Sequence, residues 1–337
     1  MLLEEVLLHL LRSTGYRTVD THVGDITLKR GSSGLEVRGR GYNHQIDAIA
    51  DFQVSHPFSY PQRLLVEAKC FSPGTLVGIE IVRNAVGVLK DASEFWVSTG
   101  ISRIHKARYH YQYAVFSATG YTDPAQSYAY AQDVYLIPVN SKFMISAIKA
   151  IRAVSADDFG VSPSSNIPIS LTKMREEVRQ SLTFGDAGYS SNDYSNTLNR
   201  KLSNLFQESF RIGYALLAVL GGRFPVFLTP IQGLPLYDRP PRNQIRIRWD
   251  YQGWYIESIQ NERLFSFDLP PELFELYASG GALSARQAIN LKDETMREFY
   301  AFLTVNGSVR VINFELDGEW LATIRDGISR RQPSRGE

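Results

Sequence analysis

Apolar residues open the chain at helical spacing. Leu2, Leu3, Val6, Leu7, Leu10 and Leu11 fall on one wide face, so residues 2–13 are expected to form a helix that Gly15 ends. The spacing then shortens. "YRTVDTHV", "DITLKR" and "LEVRGRG" read as short strands around the turn "GSSG", and "QIDAIADF" alternates around Asp47 as a half-buried strand. After the proline-bearing loop "SHPFSYPQ", "LLVEAKC" is the next strand. Val77, Ile81, Val82, Ala85, Val88 and Leu89 return to helical spacing up to about residue 94. A strand "YAVFSATGY", a helix "DPAQSYAYAQ" with Asp123 as N-cap and Pro124 in its first turn, and a strand "DVYLIPV" follow. The order of elements describes an α/β domain around a mixed sheet flanked by helices.

Beyond a helix from Lys142 to about Val154, the Ser-rich passage "SADDFGVSPSSN" marks a boundary, dividing the chain into domains 1–150 and 151–327. In the second, "TLNRKLSNLFQESFRIGYALLAVL" reads as one helix and "PVFLTPIQGLPLYDRPPRNQ" as a Pro-marked loop. "IRIRWDY", "WYIESI" and "LFSFDL" read as strands, and "PELFELYASG" as a helix with a glycine stop. "FYAFLTVNGSVRVINFEL" is a hairpin, because Asn306-Gly307 supplies the two positive-φ residues that a tight I′ turn requires. This half is expected to be α+β, and the tail 328–337 disordered.

Composition narrows the function classes. Hydrophobic residues at 44% and charged residues at 21% match an ordinary folded protein. With 36 Lys+Arg against 35 Asp+Glu the net charge is +1, so nucleic acid would have to be met by a local patch. Cys70 is the only cysteine, which excludes an intrachain disulfide or a multi-cysteine zinc site and fits a reducing cytoplasm. Following Lys69 in an apolar strand, it reads as a small core residue. "MLLEEVLLHLLRSTGY" lacks the basic start and cleavage site of a signal peptide, and no apolar run reaches the roughly 18 residues that would span a membrane.

Candidate chemistry lies in the two strands around "SHPFSYPQ". If they pair, Asp47 and Glu67 can point to one face of the sheet, and Lys69 shares the face of Glu67 by the two-residue strand period. Two carboxylates are ligands for a hard cation such as Mg2+ or Mn2+, joined by the backbone carbonyl of Ala68. Lys69 would place or deprotonate a water and balance phosphate charge. A surface salt bridge on an exposed sheet face accounts for the same three residues.

An acidic residue, a short loop and an apolar run into Glu-x-Lys resembles the PD-(D/E)XK nuclease superfamily. "HQIDAIADF", "LLVEAKC", the helix "VGIEIVRNAVGVLKDASE" and "AVFSATGYTDPAQSYAYAQDVYLIPV" together are similar to the Mrr-type restriction endonuclease domain, over about residues 1–140. "GYNHQID" departs from the family's Gly-Asp-Gly stretch, and residues 97–112 form an insertion. The resemblance implies a restriction-endonuclease-like fold and an Mg2+-dependent endonuclease acting in prokaryotic defence on nucleic acid, foremost double-stranded DNA. It also implies a glutamate on the first helix, for which Glu4 is the better match by distance from Gly15 and Glu5 the alternative.

His44 and Gln45 could touch metal-bound water or phosphate, or be exposed strand residues. Arg103, Lys106 and Arg108, interleaved with His105, Tyr109, Tyr111 and Tyr113, suit phosphate contact with base stacking, and equally a solvated loop. The aromatics around Trp249, Trp254 and Tyr255 read as core. The C-terminal half would serve recognition, oligomerisation or control, and cutting both strands of a duplex would need a homodimer or larger assembly. A non-catalytic binding module, a structural subunit working with a partner protein, and an RNA-directed nuclease remain open alternatives.

Overall fold

In a computed structural model of the chain, residues 1–32, 34–55, 57–95, 109–165, 168–186, 188, 190–231, 244–251, 253–271, 273 and 284–331 are described. The chain divides into two compact units, Met1–Gly213 and Tyr214–Glu337.

The first unit begins with α1 (Leu2–Ser13), whose leucine stripe is buried as its spacing predicts. It packs on β1 (Tyr16–Thr18) and β5 (Ala48–Phe52). These two strands belong to a five-stranded mixed sheet ordered β1-β5-β6-β7-β8, with β6 at Gln62–Lys69, β7 at His110–Ser117 and β8 at Val134–Pro138. β5 runs antiparallel to β1 and β6, while β6, β7 and β8 are parallel. Parallel neighbours need crossovers. α2 (Ile79–Ser93) lies between β6 and β7 in the chain, and α3 (Asp123–Ala131) between β7 and β8. Their apolar faces pack with Ile49, Leu65, Tyr113 and Val115 on one side of the sheet. A small antiparallel sheet, β2 (Leu28–Arg30), β3 (Leu35–Arg38) and β4 (Asn43–Gln45), precedes β5. The N-cap of α3 is Thr122, whose hydroxyl accepts from the Ala125 amide, so Asp123 and Pro124 stand one position further in than expected.

The helices after the sheet belong to this unit, so the division falls after Gly213 and not near residue 150. α4 (Ile145–Ala153), α5 (Leu171–Phe184) and α6 (Asn196–Ile212) are amphipathic, and α5 and α6 pack on α1. An apolar stripe on α1 too wide for the sheet alone is what ties them in.

The second unit is α+β, with its strands closed into a barrel and two helices among the described residues. Its strands are β9 (Leu216–Leu220), β10 (Phe224–Pro230), β11 (Gln244–Asp250), β12 (Gly253–Ser258), β13 (Arg263–Phe267), β14 (Glu298–Val305) and β15 (Ser308–Leu316), ordered β10-β13-β12-β11-β15-β14-β9. Two departures from expectation close it. The long helix stops at Ile212, and "LLAVL" after Gly213 is β9; the Pro-marked loop begins as strand β10. β9 pairs with both β10 and β14, removing the edges an open sheet would expose. The hairpin forms as predicted, with φ of 51° at Asn306 and 75° at Gly307. Phe314 fills the core against Phe299 and Phe265, at ring distances of 5.3 and 5.9 Å. Trp254 joins that core, whereas Trp249 is 66% exposed. After α7 (Ala285–Thr295), the chain ends in α8 (Gly318–Arg331), so residues 328–331 of the expected disordered tail are helical. The expected helix "PELFELYASG" lies largely outside the described residues.

Candidate active site

β5 and β6 pair from Asp51 opposite Arg63 to Ala48 opposite Val66. Asp47 sits just before that ladder, on the link where the chain leaves β4 in the small sheet and enters β5 in the large one. It is therefore not inside a strand, as its alternating neighbours suggested. Its Oδ2 accepts the amide N–H of Ala68 at 2.8 Å, which holds the carboxylate at the end of β6. A strand residue's N–H and C=O project to the same edge, so the Ala68 carbonyl is directed toward the edge where Asp47 lies.

Glu67 and Lys69 share a face, and Lys69 Nζ donates to Glu67 Oε1. The other oxygen of Glu67 accepts from the Tyr113 hydroxyl of β7 at 3.2 Å. Tyr113 is buried, and burial followed by the charge of Glu67 pushes its phenol upward, so it stays a donor at neutral pH. Burial also pushes the Asp47 carboxyl above its ordinary value. The amide of Ala68 opposes this, the charges of Glu67 and Glu4 add to it, and Lys69 opposes it. Asp47 thus feels the negative charge of two other acids, Glu67 and Glu4.

Glu4 and Glu5 divide clearly. Glu5 is fully buried and accepts from Arg175 Nε at 2.7 Å and from Nε and Nη2 of Arg179 at 2.8 Å each. Glu4 instead lines, with Asp47 and Gln45, a cleft of 860 Å3 whose wall includes Arg30, Arg175 and Arg179. Both of these last arginines come from α5, a helix absent from the sequence reading. Its signal was present: Ser170 caps it through the Lys173 amide, and Met174, Val178 and Leu182 repeat at four-residue steps beside Arg175 and Arg179.

Behind the site, Arg63 fixes the β5–β6 register. Only 1% of its side chain is exposed. It donates to Asp51 at 2.7 and 3.0 Å, to Asp25 at 2.8 Å and to Thr27 at 2.9 Å, under the Tyr109 ring 3.5 Å away. Tyr109 is thereby tied to the sheet, as Tyr113 is through Glu67, rather than set as a base-stacking platform. His44 turns away from Asp47 to Asp91 of α2, at 2.8 Å, where Asp91 also accepts the Gly41 and Tyr42 amides. Neighbouring Gln45 lines the cleft instead. Cys70 follows the last residue of β6 and is exposed, not core. Arg103, His105, Lys106 and Arg108 lie outside the described residues.

Among the described residues no three His, Cys, Asp or Glu side chains form a group able to hold a metal ion. Asp47, Glu67 and the Ala68 carbonyl nevertheless offer only oxygen donors. That suits Mg2+, which binds proteins through one or two carboxylates and keeps several waters.

No family model matches the chain, and no curated protein matches it. Two solved structures are similar to it. A protein of unknown function, AF1548, is 15% identical with a TM-score of 0.34, over 63% of this chain and 97% of that one. The MspJI restriction endonuclease, solved with a 27-mer oligonucleotide, is 16% identical with a TM-score of 0.25, over 52% of this chain and 34% of that one. At these scores neither likeness carries an argument for this chain. No helix among the described residues is long and apolar enough to cross a membrane.

Proposed function

We propose that this chain is a divalent-metal-dependent nuclease that hydrolyses phosphodiester bonds, with double-stranded DNA as the favoured substrate and defence against foreign DNA as its setting. What supports this reading is that Glu67 and Lys69 share one face at the end of β6 and that the amide of Ala68, between them in the chain, holds Asp47. Asp47, Glu67 and the Ala68 carbonyl would hold Mg2+ or Mn2+, and Glu4 supplies a further carboxylate nearby. When bound, the ion would neutralise charge on the phosphate and orient a water. Tyr113 keeps Glu67 oriented. Lys69 supplies a positive charge and a proton-bearing group beside the reacting phosphate. Cutting both strands requires two such sites, which a homodimer would provide.

The test is hydrolysis of duplex DNA, single-stranded DNA and RNA with Mg2+ or Mn2+, comparing the wild type with Asp47→Ala and Lys69→Ala. We expect each variant to lose on the order of 100-fold or more in rate. Equal activity in all three proteins would sink the site. Inactivity of the wild type on every substrate would sink the nuclease reading and favour a binding module or a structural subunit.

A further inference from the structure

Arg175 stands between two carboxylates of one helix. Its Nε bonds Glu5 Oε1 and its Nη2 bonds Glu4 Oε2, each at 2.7 Å. The two partners differ in kind. Glu5 is fully buried and held from two further nitrogens by Arg179, so this end of the contact is anchored. Glu4 lines the cleft, its Oε1 accepts from the Met1 ammonium at 2.7 Å, and its charge is felt by Asp47. Arg175 itself is 26% exposed and lines the same cleft. Its guanidinium is therefore pinned at one edge and rests at the other on an acid of the candidate site.

We propose that Arg175 is a nucleic-acid phosphate contact, masked by Glu4 in the substrate-free site and transferred to a backbone phosphate when Glu4 turns to a divalent cation; the identity of the ligand rests on the nuclease reading above. A guanidinium fits a phosphate oxygen pair as it fits a carboxylate, so one charge-assisted contact replaces another. The Glu5 anchor limits the side-chain entropy lost in the exchange. Both oxygens of Glu4 are engaged, Oε1 by the Met1 ammonium and Oε2 by Arg175, so a cation that takes Oε2 releases the guanidinium and the two events are coupled. α5 lies beyond the residues that resemble the nuclease domain, and through Arg175 it contributes a substrate contact to that domain's cleft.

The exchange has a signature that a merely structural arginine lacks. Binding of a short fluorescein-labelled DNA duplex to the full chain is followed by anisotropy across a salt series, once in EDTA and once in Ca2+, which takes the same oxygen ligands. Arg175→Ala leaves Glu5 with both Arg179 bonds, and Arg175→Gln, which keeps length and polarity, serves as a second variant. In EDTA, wild type and variants should show the same slope of log K against log salt. In Ca2+, the variants' slope should be shallower by about 1, the loss of one phosphate contact. Equal slopes in both conditions, an equal deficit in both, or no duplex binding by the wild type in Ca2+ would overturn the proposal. The expected slopes without hydrolysis of any substrate would remove the nuclease reading and leave this contact standing. Hydrolysis with unchanged slopes would do the reverse.

Discussion

Replacing Arg63 by Met tests whether the buried ion cluster behind the site holds the β5–β6 register. Methionine keeps much of the volume and loses every donor. Asp51, at 10% side-chain exposure, and Asp25, at 15%, are left without the guanidinium that each contacts. Breaking one buried pair typically costs about 3–5 kcal/mol, because the surviving charge stays desolvated. Arg17 remains 3.6 Å from Asp51, but it is 75% exposed and offsets at most about 1 kcal/mol. The net expectation is roughly 3–4 kcal/mol, a fall in Tm of roughly 6–16 °C for a unit of this size. Three of the four tryptophans, Trp249, Trp254 and Trp320, belong to the barrel unit and Trp96 to the first, so tryptophan emission does not isolate the unit that the substitution perturbs. Calorimetry together with hydrogen exchange at the β5 and β6 amides reads the right one. The pH dependence has a definite sign. Against the upward push of burial, Thr27 and Arg63 hold the Asp25 carboxyl below its ordinary value. Its stabilisation is therefore present above the unfolded-state value and lost as pH falls through the folded one. Wild type and Arg63→Met should converge in stability as pH drops through the carboxylate range. A loss below about 1 kcal/mol at neutral pH, or a gap that widens in acid, would refute the reasoning.

Two further outcomes follow from the site itself. Asp47→Asn should abolish hydrolysis yet raise stability at neutral pH by about 0.5–2 kcal/mol, since burial and the neighbouring acids disfavour its charged form; the gain should shrink as pH falls and the native carboxyl protonates, and thermal melts across pH that show a loss would contradict this. His44→Ala should cost about 1 kcal/mol through the lost contact to Asp91 while leaving the Mg2+ dependence of hydrolysis unchanged, so a shifted metal requirement would return His44 to the site.

Local spacing carried a large share of this molecule. The leucine stripe of α1, the Asn306-Gly307 hairpin and the shared face of Glu67 and Lys69 follow from periods of 3.6 and 2 and from turn chemistry, all of which act within a few residues. Spacing says which side of its own element a residue faces. It does not say what stands opposite. Asp47 became a ligand candidate of definite placement only where the chain crosses between two sheets and the Ala68 amide receives it. Distance from Gly15 favoured Glu4 over Glu5 by resemblance alone, because helix spacing does not show where α5 packs on two adjacent residues. Arg175 and Arg179, 170 and 174 positions away from Glu5, take it into the interior and leave Glu4 to the cleft. "LLAVL" satisfies a buried helix turn or a buried strand equally well, and β9 is a strand because β10 and β14 flank it and close the barrel. The sequence by itself determined most of the elements and the residue types they carry. Which carboxylates face one another, and which arginines neutralise them, was decided by packing between segments far apart in the chain.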